Sequence, residues 1–466
     1  MQAMSNSYWL KSGFYTLSEK AASMLFGFGG FVLLVRVLPD KASYGVWVLF
    51  LSIVSVIEVG RIGLLQNALV KFLSVDNQGE EAGRITTASI ILNGILTGMI
   101  VLLCLLLSPL ATWVFKAPEL AGLLRIYCLT TVALIPFYQS NYIQQANLDF
   151  KGIFWGNVAK GGVLFGFILY LFLEKLPVKL SELAWTQLVG ALVASVVSWA
   201  FARKYAVFSK RIDWDWVNRL FAYGKFVLGT NISTQLYKTV DKLLLGSLPG
   251  GGPAAVAVYD AAIRITNLTD VPTASMASIL FPQSSRRVQE GNGAVKDLYE
   301  KAVGAILAIM VPCVVSVMLL ADWLIYVTAG AAYSESANLL RITILFGLFL
   351  PYAVQFGTVL DSIGKPQVNF LYTLGSLLLT ALFNVLLIPR MGVYGAAVGT
   401  LSAYAITFAF MQVYLRKTLN VNALNPFLFM FGFYGRIFDF AKQKINNRYE
   451  PKPSVEILDH EMEEIR

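Results

Sequence analysis

The feature that most constrains this 466-residue chain is a succession of long apolar runs. About twelve of them are long enough to cross a bilayer as α-helices, because a span needs roughly 20 predominantly apolar residues. They lie at about 16–38, 44–64, 85–107, 123–143, 153–173, 183–205, 223–245, 254–281, 302–320, 339–360, 368–388 and 393–415. The sequence therefore predicts an all-α polytopic membrane protein.

The composition agrees, with 56% hydrophobic and 14% charged residues. The connections between the runs are short, which leaves no room for a large soluble catalytic domain. Three cysteines, Cys104, Cys128 and Cys313, lie inside apolar runs and are typical of small buried hydrophobic residues. The one histidine, His460, lies in an acidic C-terminal tail. We therefore expect no metal site, no cofactor and no histidine-dependent catalysis.

Lysine and arginine are concentrated in every second loop between the spans. Positive charge in short loops stays on the cytoplasmic side of the membrane. The poorer set of loops holds six such residues and the richer set holds thirteen. The richer set is Lys71, Arg84, Lys151, Arg203, Lys204, Lys210, Arg211, Arg219, Arg286, Arg287, Lys296, Lys301 and Lys365. Both termini are predicted to be cytoplasmic. Because the net charge of +9 is spread over many loops, we expect no nucleic-acid partner.

An internal repeat divides the chain. The tetrapeptide Leu-Leu-Arg-Ile at 123–126 recurs at 339–342, and each copy is followed by a proline with an aromatic residue, at Pro136 and Pro351. Six spans per half is an even number, so the halves are predicted to be parallel repeats. We expect an N-terminal lobe at 1–210, a C-terminal lobe at 211–420 and a cytoplasmic extension at 421–466. Two lobes around a central site favour a transporter that works by alternating access.

Charged residues within membrane spans are energetically costly, and they suggest a function when they face a water-filled cavity. The candidate cations for such a cavity are Lys20, Arg61, Lys160, Lys238 and Arg264. Three acids, Glu58, Asp241 and Asp260, are candidate partners because each lies three or four positions from a cation on one helix face. Lys160 has no acidic residue within one turn. It is either an anion-binding group or a side chain that extends to the cytoplasmic interface.

The C-terminal extension mixes aromatic and basic residues between 426 and 448, which predicts an amphipathic helix at the membrane surface, and then turns acidic.

Ordered short motifs run through most of the chain. They include Arg36-Val37-Leu38-Pro39, the run Asp241-Lys242-Leu243-Leu244-Leu245-Gly246, and Ile388-Pro389-Arg390-Met391-Gly392. On these motifs the chain resembles the polysaccharide transporter family of oligosaccharide and O-antigen flippases, within the superfamily that also contains multidrug extruders. One departure is Glu58-Val59-Gly60-Arg61, where such proteins usually carry an aspartate directly before the glycine.

The resemblance implies a multidrug-extruder-like fold and a flippase that moves a polyprenyl diphosphate-linked oligosaccharide across the cytoplasmic membrane of a bacterium. Expected partners are the lipid-linked oligosaccharide, membrane lipids and other polysaccharide-assembly proteins. The diphosphate would need cationic partners in a low-dielectric cavity. Sugars would pass aromatic and amide groups, for which the candidates are Tyr138, Gln139, Asn141, Tyr142, Gln144 and Gln355.

Two alternatives stay open. An ion-coupled exporter of multidrug cations would have the same fold but would need unpaired acids in its cavity. A membrane glycan polymerase would need a sizeable outer loop with catalytic groups. No phosphate-binding glycine motif ending in Gly-Lys-Ser or Gly-Lys-Thr occurs in the sequence, so the expected energy source is an ion gradient or downstream consumption, and we expect no enzymatic activity.

Overall fold

The computed structural model describes residues 6–75 and 79–435, and the part it describes is helical with no β-strand. The first helix is interrupted by a π-helical turn at Leu25–Gly29. A further helical stretch covers 425–435. The α-helices are α1 Asn6–Met24, α2 Gly30–Val37, α3 Lys41–Leu73, α4 Gly79–Phe115, α5 Glu119–Ala146, α6 Phe150–Leu173, α7 Leu180–Ala202, α8 Trp214–Ser247, α9 Pro253–Thr266, α10 Asp270–Arg287, α11 Asn292–Ala329, α12 Ser336–Thr343, α13 Phe346–Ser362, α14 Pro366–Met391 and α15 Val393–Leu419.

Ten helical segments in the described ranges are long and apolar enough to cross a membrane, which confirms an all-α polytopic protein. The sequence predicted about twelve, and the two others fall at 223–245 and 254–281. The first lies on α8 and itself carries four charged residues, namely Lys225, Lys238, Asp241 and Lys242. The second is broken by a 3-10 turn at Asn267–Thr269 into α9 and α10. Their polarity and the break separate these regions from the other spans.

Helix starts follow from short polar side chains. The carboxylates of Asp40, Asp149 and Asp213 each accept a hydrogen bond from a backbone N–H in the first turn of α3, α6 and α8. Such caps replace a bond that the helix cannot make within itself. Between α8 and α9 the chain turns through Gly250 and Gly252, both with positive φ, before Pro253 opens the next helix.

The described residues divide into two compact units, one within 6–268, 317–346 and 367–407 and the other within 269–316, 347–366 and 408–435. In the first unit α3 packs against α8, α9 and α5. Here Gly45 and Gly224 permit close approach of the helix backbones. A Cβ atom at position 45 would lie 1.7 Å from the Pro253 carbonyl oxygen, and a Cβ atom at position 224 would lie 2.0 Å from the Leu64 carbonyl oxygen. Helix α3 is thus held directly against α8 and α9.

The same unit contains polar contacts between its N-terminal and C-terminal parts. Lys41 pairs with Glu335 at 2.6 Å, and Arg36 donates to the carbonyls of Val327 at 2.5 Å and Thr328 at 3.0 Å. Tyr333 stacks edge-on to Tyr44, and burial raises the pKa of the Tyr333 phenol.

The second unit has an aromatic core with a buried acid at one end. Tyr352 stacks against Phe408 at 4.9 Å between ring centres. Glu300 is buried and accepts hydrogen bonds from the Asn422 backbone and the Asn425 amide. The amphipathic helix predicted at 426–448 is helical up to 435, and the rest of it, with His460 and the acidic tail, lies outside the described residues.

Candidate functional site

A cavity of about 540 Å³ opens among the helices of the first unit. Its walls come from α1, the π-helical turn, α3, α5, α6 and α7, so every lining residue belongs to the first half of the chain. Phe26 and Phe165, whose ring centres are 5.4 Å apart, close one wall. The polar lining residues are Ser23, Ser55, Glu58, Tyr127, Thr130, Tyr138, Asn157, Lys160 and Gln187. An apolar membrane region therefore encloses a polar space with both an acid and a base in its wall.

Arg61, which lies behind this wall, is fully buried and its charge is balanced. Its guanidinium pairs with Glu58 at 2.5 Å and also donates to the Thr131 carbonyl at 3.0 Å. The hydroxyl of Tyr127 donates to the same Glu58 carboxylate. The ion pair that the sequence spacing suggested is thus formed, and the surrounding polar groups offset the cost of burying it.

Lys160 lines the same cavity. No hydrogen bond or ion pair joins its ammonium to a side chain in the part of the chain that the structure describes. Its Nζ atom instead lies 5.2 Å from the ring centre of Phe137 and 5.5 Å from that of Tyr138. The Arg61 guanidinium lies 4.4 Å from the same Tyr138 ring. Aromatic faces attract cations but leave the charge open to an anion. We call Glu58, Arg61, Tyr127, Tyr138 and Lys160 the Arg61 cluster.

A second charged group lies where α3, α8 and α9 meet. The buried Asp260 carboxylate is bonded by Lys242 at 2.6 Å, Arg264 at 2.9 Å and the Tyr44 hydroxyl at 2.6 Å. Arg264 also donates to the Gly27 carbonyl at 3.3 Å, and Gly27 lines the cavity. We call Tyr44, Lys242, Asp260 and Arg264 the Asp260 cluster. It fixes α8 and α9 to α3 and to the π-helical turn.

The other predicted cations lie apart from both clusters. Lys20 and Lys238 are exposed. The suggested pairing of Lys238 with Asp241 is not formed among the described side chains, because the Asp241 carboxylate instead accepts from the Tyr259 hydroxyl at 2.7 Å and from the Lys242 backbone. The suggested pairing of Asp260 with Arg264 is formed, but the sequence reading did not include Lys242.

Of the candidate sugar-path residues, Tyr138 lines the cavity and the others do not. Gln139 accepts from Ser89, and Gln144 donates to the Ser198 carbonyl. Asn141 is half-buried, and the hydroxyl of Tyr142 is buried without a partner among the described groups. Gln355, in the second unit, donates to the Thr273 carbonyl at 2.9 Å. The amides lie on other faces of their helices and pack between neighbouring helices.

Several residues of the site were not predicted from the sequence. Tyr127, Asn157 and Gln187 line the cavity, and neither Tyr127 nor Gln187 belongs to a charged motif. A signal was present in α5, because Tyr127, Thr131 and Tyr138 are spaced by four and seven positions and so share one helical face. The cavity-lining Gln187 left no comparable pattern in α7.

The family description "polysaccharide biosynthesis protein" matches residues 33–338, well over half of the chain. The chain belongs to this family. The resemblance noted in the sequence is thereby confirmed.

Curated relatives of this family member are distant. An uncharacterised membrane protein of Methanocaldococcus jannaschii is 28% identical over 51% of this chain and 46% of its own. A probable low-salt glycan biosynthesis flippase of Haloferax volcanii is 22% identical over 50% of each chain. The teichuronic acid biosynthesis protein TuaB of Bacillus subtilis is 20% identical over 62% of this chain and 59% of its own. The chain spans about half the length of the curated relatives it matches.

Solved structures show the fold. The lipid II flippase MurJ in an inward closed conformation superposes with a TM-score of 0.74 at 15% identity, over 96% of this chain and 95% of that one. An inward-facing multidrug resistance transporter of the MOP superfamily superposes with a TM-score of 0.72 at 18% identity, over 85% of this chain and 96% of that one. The chain is therefore a multi-pass membrane protein with the fold of these transporters, as the sequence predicted.

Proposed function

We propose that this protein is a flippase that moves a polyprenyl diphosphate-linked oligosaccharide from the cytoplasmic to the outer leaflet of a bacterial cytoplasmic membrane. The observation that carries the proposal is Lys160, a cation with no counter-charge among the described side chains, in a polar cavity within membrane-spanning helices. An uncompensated charge at membrane depth is costly, so it is retained where a ligand or water balances it. Membership of a polysaccharide biosynthesis family supports this assignment.

Lys160 supplies the charge that a diphosphate requires. In the cavity wall Glu58 is neutralised by Arg61, which leaves the Lys160 ammonium as the excess charge. Charge-assisted hydrogen bonds to phosphate are strong in such a low-dielectric site. Tyr138, Asn157 and Gln187 offer a ring face and amides for sugar hydroxyls in the same wall. The polyprenyl tail would stay in lipid.

In alternating access the cavity opens in turn to each side of the membrane. In the proposed cycle the lobes 1–210 and 211–420 rock against each other, with both termini in the cytoplasm. The pairing of Lys41 with Glu335 and the bonds of Arg36 to the end of α11 join the two halves on the side predicted to be outward. These contacts would break when the cavity opens outward and form again on return.

An exporter of organic cations is the competing function, since multidrug transporters share the fold. Such a cavity needs an acid whose charge is free. Here Glu58 is held by Arg61, Tyr127 and Thr131, so the acid is already occupied. The charge balance in this cavity therefore favours an anionic substrate.

The test is leaflet translocation of a fluorescent lipid-linked sugar by the purified full chain in vesicles. Replacing Lys160 by alanine is expected to reduce translocation and surface polysaccharide at least roughly tenfold while the protein remains folded in the membrane. Lys151→Ala is the matched control, because this exposed lysine lies on the same helix outside the cavity. Wild-type translocation by the Lys160→Ala variant would overturn the proposed role of Lys160.

A further inference from the structure

A second polar cavity, of about 400 Å³, lies in the second unit where α15 ends. It is lined by the start of α11, the last turns of α15 and the loop that follows. The lining residues are Lys296, Gln412, Val413, Arg416, Asn420, Val421, Asn422, Ala423 and Asn425. Two cations and four amides therefore face one space, and no acid is among the lining side chains.

Both cations are free of acidic partners within the described ranges. Neither Lys296 nor Arg416 makes an ion pair there, whereas nearby Lys301 is paired with Asp297 at 2.7 Å. The buried Glu300 makes no ion pair with either cation among the described residues, and its two oxygens accept hydrogen bonds from the Asn422 backbone and the Asn425 amide. The positive charge of this cavity is thus left for a ligand.

The amide wall is held in place by the backbone. Asn420 has a φ of 54°, and its N–H donates to the Arg416 carbonyl at 3.1 Å, which closes the end of α15. The Asn422 side chain accepts from the Leu424 N–H at 3.1 Å and fixes the next turn. Gln412 has a buried amide whose nitrogen and oxygen have no hydrogen-bond partner among the described groups. A polar ligand would provide partners for such an amide.

The neighbouring surface is suited to a membrane interface. In the helical stretch 425–435 the side chains of Phe427, Leu428 and Phe431 are exposed. Apolar groups beside lysine and arginine at the end of a spanning helix are typical of segments that lie among lipid headgroups. The cavity therefore lies where a lipid phosphate is abundant.

We propose that this cavity binds a phosphate group, carried by an anionic lipid, through Lys296 and Arg416, with the amides of Gln412 and Asn420 taking headgroup hydroxyls. The site is separate from the proposed substrate cavity and does not rest on the proposed function. A free phosphate would use the same two cations, so the source of the phosphate is decided by experiment.

The experiment titrates a short-chain phosphatidylglycerol into the full-chain protein in neutral detergent, with short-chain phosphatidylcholine and sodium phosphate as separate arms. Saturable binding of phosphatidylglycerol with no binding of phosphatidylcholine is expected. Replacing Lys296 and Arg416 together by glutamine should weaken it at least roughly tenfold, since hydrogen bonds to charged groups are worth such a factor. Sodium phosphate that binds as tightly as the lipid would assign the site to free phosphate.

Lys417→Gln is the control, because Lys417 is an exposed cation beside Arg416 that does not line the cavity. It should leave binding unchanged. Gln412→Glu is an independent variant that places a negative charge in the wall and should abolish binding, while thermal melting shows whether the chain remains folded. Unchanged affinity in the double glutamine variant, or equal losses in Lys417→Gln, would overturn the proposal.

Discussion

The Arg61 cluster and the Asp260 cluster each contain one acid and two cations, yet only in the Asp260 cluster do both cations bond the acid. In the Asp260 cluster one fully buried carboxylate is bonded by a lysine, an arginine and a tyrosine hydroxyl. In the Arg61 cluster the carboxylate takes the arginine and a tyrosine, while Lys160 is left without an acid. A cluster in which every cation bonds the acid holds helices together, whereas a cation outside such a bond can bind a ligand. The position of the lysine relative to the acid decides between the two.

The largest expected effect comes from removing the acid of the Asp260 cluster. Asp260→Asn leaves Lys242 and Arg264 without their counter-charge and should cost about 3–5 kcal/mol of stability, as when a buried ion pair loses one partner. Thermal melting of the purified protein measures it. Asp297→Asn breaks the exposed pair with Lys301 and should stay within about 1 kcal/mol of wild type. Equal losses in the two variants would mean that the Asp260 cluster does not hold α8 and α9 in place.

A smaller effect should distinguish the function of Lys160 from that of Arg264. Lys160→Gln should reduce lipid-linked sugar translocation at least roughly tenfold, because it removes the cation that would bind the diphosphate. The melting temperature should change little. Arg264→Gln should lower the melting temperature and reduce translocation only in proportion to the folded protein. Translocation rates normalised to folded protein make the comparison. If Arg264→Gln abolished translocation in fully folded protein, Arg264 would itself be a substrate contact.

The smallest expected effect concerns the two tyrosine hydroxyls. Tyr44→Phe removes a donor to a fully buried carboxylate and should cost about 1–3 kcal/mol. Tyr127→Phe should cost less, since Tyr127 and Glu58 both line the cavity, where water can replace the lost bond. Paired melting curves test this. A larger loss for Tyr127→Phe would indicate that the cavity around Glu58 is dry.

The repeated tetrapeptide shows how far local pattern extends. At 123–126 and at 339–342 the two leucines are buried. Arg341 pairs with Asp322 at 2.5 Å, whereas Arg125 is exposed. The first copy lies within the continuous helix α5, but the second lies in the eight-residue α12, which ends before α13 begins. The two leucines are thus buried alike in two helices of different length, whereas the arginines are not.

The sequence by itself determined that the chain crosses a membrane many times, because long apolar runs leave few other folds, and it marked Glu58 with Arg61 and Asp260 with Arg264 because helix spacing brings such neighbours together. Tertiary structure alone decided that Lys242 reaches Asp260 and that Lys160 lies near the Tyr138 ring without an ion pair among the described side chains. These contacts join residues of different helices or faces, and no spacing along one helix encodes which faces will meet. The same reason explains why the amides of Gln139 and Gln144 were assigned to a cavity from which helix packing removes them.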